Sequence, residues 1–130
     1  MSSKGFTLIE LLVALVVIVV GLLGILLANI FVQSSSEAAY QRMVAMQDAH
    51  RVIELMRNAS STGNFPINVT AAFPSGGAVA GFNNLTNEQV AVAYANAASD
   101  PLDITVTTTW REHGRRNSTA QLRTLMTQRT

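Results

Sequence analysis

Glu10 is the first carboxylate of the chain and stands at the edge of a long uncharged apolar run. A carboxylate there costs free energy and marks function by pairing with a positive group. The plainer use is to stabilise a helix N-terminus through its dipole, worth about 0.3–1 kcal/mol. Few other residues have the types or spacing for chemistry. There is no Cys, hence no disulfide, thiolate metal site or Cys nucleophile. His50 and His113 are too far apart in sequence to suggest a paired metal site, and they read as a solvated helix residue and a turn residue. Ser34-Ser35-Ser36 has no neighbouring His, and Glu112 and His113, being adjacent, point apart on an extended chain. No catalytic constellation, metal set or cofactor is expected. Arg111, Arg115 and Arg116 form a short basic cluster that could meet phosphate, although a solvated turn is its default reading.

The elements that position Glu10 follow from where the apolar residues fall. Charged residues are 13% of the 130, against roughly 25% in soluble domains. The hydrophobic content of 48% excludes a disordered chain, and the formal charge of +1 argues against a strongly basic nucleic-acid binder. From Leu11 to Ser36 there is no charge, and Leu11 to Val32 is almost wholly Leu, Val, Ile, Ala and Gly. At 1.5 Å per residue that stretch is roughly 33 Å long, enough to cross a bilayer core of about 30 Å. A secretory signal peptide has a shorter apolar region and rarely a carboxylate at its edge. Lys4, the one cation ahead of the run, favours a cytoplasmic N-terminus.

The helical pattern continues beyond the apolar run. Ala45, Ala49, Val52, Ile53, Met56 and Ala59 share one helix face. Arg42, Asp48, Arg51, Glu54 and Arg57 lie mostly off it, with Asp48–Arg51 and Arg51–Glu54 as supporting i,i+3 pairs. Ser60-Ser61-Thr62-Gly63 and Pro66 stop the pattern. One helix is therefore predicted from about Thr7 to Ser60, about 80 Å long if straight. Gly63 to Asn87 reads as a loop with one short strand, and Glu88 to Ala98 suits either a strand or a helix. Leu102, Ile104, Val106, Thr108 and Trp110 alternate with polar residues and predict a half-buried strand, with Trp110 in the core. Glu112 to Asn117 predicts a turn, and Ala120, Leu122 and Thr124 a second strand. A lone hairpin is marginal, so the amphipathic helix face is expected to cover it. The fold class is α+β: a long N-terminal helix whose first half is transmembrane, with a small antiparallel head on its second half.

Met1-Ser2-Ser3-Lys4-Gly5-Phe6-Thr7-Leu8-Ile9-Glu10 resembles the class III signal of type IV pilins and type II secretion pseudopilins. Gly21-Leu22-Leu23-Gly24, Gln33, Ala39-Tyr40, Arg42, Ala45 and Met56-Arg57-Asn58 look like the PilV-type minor pilins, as does the alternation ending in Trp110-Arg111. The resemblance covers about the first 60 residues well and the head thinly. Two features depart from many pilins. There is no Cys to close a C-terminal loop, and Gly21 and Gly24 stand where a helix-breaking Pro is common.

The resemblance implies a leader at residues 1–5, a transmembrane and filament-core helix at 6–32, an amphipathic helix half at 33–60 and a globular head at 61–130. It implies cleavage by a prepilin peptidase between Gly5 and Phe6, N-methylation of Phe6, and pairing of Glu10 with the new Phe6 amine. Implied partners are other pilin subunits, major and minor, the peptidase, an inner-membrane assembly platform and the membrane, with nucleic acid not expected. The implied location is the bacterial inner membrane, single-pass with the head periplasmic, then a cell-surface pilus. The leading reading is a minor pilin, not an enzyme, that primes or caps type IV pilus assembly. The alternatives are a minor pseudopilin for protein export, a major pilin, a DNA-uptake pilin resting on the Arg cluster, and, weakest, a monotopic membrane enzyme.

Overall fold

The computed structural model describes residues 7–61, 63–112 and 116–128. The chain divides into two compact units, the first ending at Glu37 and the second beginning at Ala38. Helix α1, Leu8–Ser60, contributes to both. In the first unit its residues are exposed on every side, with Leu8, Leu27 and Phe31 at 84%, 69% and 73%. A helix apolar all round with nothing covering it has the composition of a membrane span.

In the second unit α1 has one buried face: Ala45, Asp48, Ala49, Val52, Ile53, Met56 and Ser60. Its C-terminal carbonyls are satisfied locally. Ser60 Oγ donates to the Arg57 carbonyl and Ser61 Oγ to that of Asn58, both at 2.7 Å. Asn68 Nδ2 reaches back to the Ala59 carbonyl at 2.6 Å. Hydroxyl and amide donors thus meet acceptors that the helix end leaves unpaired.

Asn68 belongs to α2, Ile67–Ala72, a single short helix that buries Val69. Its presence corrects the expectation of a loop with one short strand over Gly63 to Asn87. What that stretch gives to the sheet is an isolated bridge, Ala78 to Ala91. The ambiguous stretch Glu88 to Ala98 holds strand β1, Gln89–Tyr94, because Val90 and Val92 bury fully while their neighbours do not. Strands β2, Leu102–Glu112, and β3, Arg116–Met126, form the expected hairpin. The expected turn falls partly on residues 113–115, outside the described residues. The sheet is antiparallel in the order β1-β2-β3, one strand larger than the sequence promised.

The inner faces of the strands pack on α1. Val90, Val92, Leu102, Ile104, Val106 and Met126 cluster with Ala49, Val52, Ile53 and Met56. Trp110 and Ala120 cluster with Ala45. At about 25 cal/mol per Å² of apolar area, burial of these side chains dominates the unit's stability. Tyr94 closes one side, its hydroxyl donating to the Phe73 carbonyl at 2.7 Å, and burial pushes its pKa up to about 12.

Candidate assembly site

Glu10 lies in the first turn of α1. The turn is closed by Glu10 N–H and Leu11 N–H, which donate to the Thr7 carbonyl at 3.1 and 3.2 Å. Thr7 thus stands at the N-cap and Glu10 three residues on, the spacing of a capping box, a local signal missed in the sequence. The Glu10 carboxylate is exposed among Leu8, Ile9, Leu11 and Leu12, all exposed apolar side chains. Gly5 and Phe6 lie outside the described residues. A lone carboxylate at the dipole-positive end of an apolar helix suits an electrostatic role with a cation that approaches it.

Three side-chain donors clasp the second unit. Thr108 Oγ1 donates to the Ala45 carbonyl at 3.3 Å and Trp110 Nε1 to Gln41 Oε1 at 3.1 Å, both linking β2 to α1. Asn84 Nδ2 donates to both carboxylate oxygens of Asp48 at 3.0 Å. That last contact corrects the sequence reading of Asp48 as a residue mostly off the stripe and paired with Arg51: it is 5% exposed and belongs to the buried face. Arg51 instead lies 6.0 Å from the centre of the Phe82 ring, and the i,i+3 pair that forms is Glu54–Arg57 at 2.6 Å.

Glu88 sits beside Asp48. Its Oε2 accepts the Leu85 N–H at 3.1 Å, while its Oε1 is buried with no hydrogen-bond partner among the described residues. Burial raises the Glu88 pKa, and the neighbouring Asp48 carboxylate raises it further, against the lowering effect of the Leu85 N–H. On the outer sheet face Asp103 is held low by the Arg123 guanidinium, which donates to it through both Nε and Nη2. Among the described residues, no three His, Cys, Asp or Glu side chains gather as metal ligands would. Of the basic cluster, Arg111 and Arg116 are exposed and Arg115 lies outside the described residues.

Residues 1–26 match the family model of the prokaryotic N-terminal methylation motif. The chain carries the class III signal of type IV pilins. The matched segment includes Gly5, Phe6 and Glu10 and runs well into the apolar part of α1. Such a signal marks a type IV pilin-like precursor, of a kind that is structural rather than enzymatic. It implies processing by a prepilin peptidase and assembly with other pilins, and together with the exposed apolar helix it fits an inner-membrane-anchored protein. No curated protein and no solved structure matches the chain.

Proposed function

We propose that this chain is a minor pilin of the PilV type, a subunit that primes or caps type IV pilus assembly. A prepilin peptidase cuts between Gly5 and Phe6, removing residues 1–5 as a leader, and Phe6 is N-methylated. Residues 6–32 anchor the subunit in the inner membrane and later lie in the filament core. Residues 33–60 carry the head, 61–130, on the periplasmic side. Glu10 attracts the Phe6 amine of its own or a neighbouring subunit, and so selects register as the subunit docks. An uncleaved leader spoils docking because that amine does not exist until the cut is made.

The observation that carries this reading is the methylation motif running without a break into a helix whose apolar surface is exposed all round. Such a surface needs lipid before assembly and other helices after it. The resemblance of Gly21-Leu22-Leu23-Gly24 and Met56-Arg57-Asn58 to PilV-type chains supports the minor rather than the major role. The test is the amount of this chain in sheared filaments and the piliation of a strain lacking it. A minor, priming subunit is present at a small fraction of the main subunit, and its loss reduces piliation. Abundance equal to the main subunit, or normal pili with lost protein export, overturns the assignment.

A further inference from the structure

We propose that Glu88 Oε1 carries a proton that it shares with the Asp48 carboxylate, and that this proton is a pH-operated latch holding the strap 82–88 against α1. The latch lies within the second unit and is independent of the minor-pilin reading. The bonds already made place the proton. Both oxygens of Asp48 accept from Asn84 Nδ2 at 3.0 Å, so Asp48 acts as an acceptor at each. An ionised carboxylate has about four acceptor sites, which leaves room for a further donor. Glu88 Oε2 accepts the Leu85 N–H at 3.1 Å and is an acceptor as well. The remaining oxygen, Glu88 Oε1, is buried with no partner among the described residues, and the Glu88 side chain lies within hydrogen-bonding reach of Asp48. With both groups ionised, two like charges meet and Oε1 is a buried acceptor without a donor. One proton on Oε1 removes both defects, because it makes that oxygen the donor to Asp48.

The strap has few other ties. Among the described residues its backbone makes one bond to the sheet, the Thr86 carbonyl accepting from Arg111 N–H at 2.8 Å. Upstream the chain is pinned where Val79 N–H donates to the Val90 carbonyl at 2.7 Å, and downstream it enters β1 at Gln89. Between these anchors Phe82 packs on the main cluster, and Leu85 packs on the cluster of Ala45, Trp110 and Ala120. The surrounding charges are engaged elsewhere or turned away. Arg51 of α1 lies 6.0 Å from the centre of the Phe82 ring, and His50 is exposed. On β2, Arg111 is exposed and Glu112 accepts from Ser118 Oγ at 2.7 Å. Strand β3 reaches this cluster through Ala120, its Arg116 is exposed and its Arg123 is paired with Asp103; β1 carries no Asp, Glu, Lys, Arg or His. Glu88 is therefore the group whose ionisation the strap feels. Burial and Asp48 raise its pKa, so the latch is shut below the ordinary glutamate value and opens as pH rises through the folded value. Once the proton leaves, the two carboxylates repel, and the strap lifts Leu85 from the Trp110 cluster.

The test uses the full chain in detergent micelles, with the glutamate side-chain carboxyl carbons labelled and followed by NMR as pH is raised. Backbone amide exchange is read alongside as protection relative to an unfolded peptide at the same pH, so that base catalysis of exchange cancels. The Glu88 carbon is expected to titrate above the ordinary glutamate value of about 4.3. Over the same interval the protection of Arg111 N–H, which holds the strap at Thr86, falls about tenfold, the change for one hydrogen bond of ordinary net strength. Arg111 stays less protected than Val106, in the β2–β3 ladder, at every pH, because the strap opens without the sheet. Glu88→Gln, which offers Asp48 an amide donor at every pH, keeps Arg111 equally protected throughout. Asp48→Asn removes the like charge and lowers the Glu88 midpoint. A Glu88 carbon that titrates with exposed glutamates overturns the proposal, as does Arg111 protection that ignores the Glu88 titration or still follows pH in Glu88→Gln. Equal protection at Arg111 and Val106 shows the whole unit opening together and overturns it too.

Discussion

Asn84 donates its side-chain amide to both carboxylate oxygens of Asp48, each at 3.0 Å, and so ties the loop before β1 to the buried face of α1. Asp48 is the one acidic residue on that face, and Glu88 stands next to it. The pair makes the α1–sheet contact sensitive both to the amide and to pH.

Replacing Asn84 with Ala leaves the Asp48 carboxylate buried without its donor. The expected cost is about 1.5–3 kcal/mol for a bond to a charged group. A loss of that size lowers the melting temperature by about 4–8 °C per kcal/mol in a domain of this size. Trp110 is the single tryptophan and is buried against α1, so its fluorescence in the full detergent-solubilised chain reports this unit. An unchanged melting curve shows that the bond is dispensable.

Glu88 has a raised pKa, so the folded chain holds its proton more tightly than the unfolded chain. The stability this contributes is fully present below the ordinary glutamate value of about 4.3 and is lost as pH rises through the folded value. Glu88→Gln imitates the protonated form at every pH. The variant therefore matches the parent in acid and melts higher at neutral pH. A gap between the two curves that does not change with pH contradicts this account of the pair.

Ile53→Asp places a charge inside the contact between α1 and the sheet. An unpaired buried charge costs several kcal/mol, comparable to the whole stability of a small domain. The expected result is exposed Trp110 fluorescence and loss of cooperative melting, with the protein still in the membrane fraction. Parent-like melting means that Ile53 meets another surface.

The long helix was legible because its two signals are local: an unbroken apolar run, then a 3.6-residue stripe from Ala45 to Met56. Strand β2 was legible from strict alternation over Leu102 to Trp110, and the motif around Glu10 because its residues are contiguous. Asp48 was placed off the apolar stripe because a charged side chain is assigned to the buried face only once its partner is known. That partner, Asn84, is 36 residues away in a loop. Helix α2 was missed because six residues are too few to show a helical period. The contact of Glu88 with Asp48 depends on how the segment before β1 packs on α1, which no local pattern encodes.

Glu10→Gln separates membrane insertion from assembly. Insertion depends on the apolar run from Leu11 to Val32. Docking, if Glu10 meets the Phe6 amine, depends on the charge. Opposite charges 4 Å apart attract by about 4 kcal/mol at an effective dielectric of about 20, before desolvation is subtracted. The variant is expected to be cleaved and present in membranes at normal level, yet depleted from sheared filaments. Entry at the parent level leaves Glu10 with the helix-dipole role alone.

The most direct measurement of the central claim is mass spectrometry of the N-terminal peptide recovered from native membranes and filaments. The account predicts a chain that begins at Phe6, with one methyl group on its α-amine and residues 1–5 gone. Assembled protein that still begins at Met1, or begins anywhere other than Phe6, contradicts it.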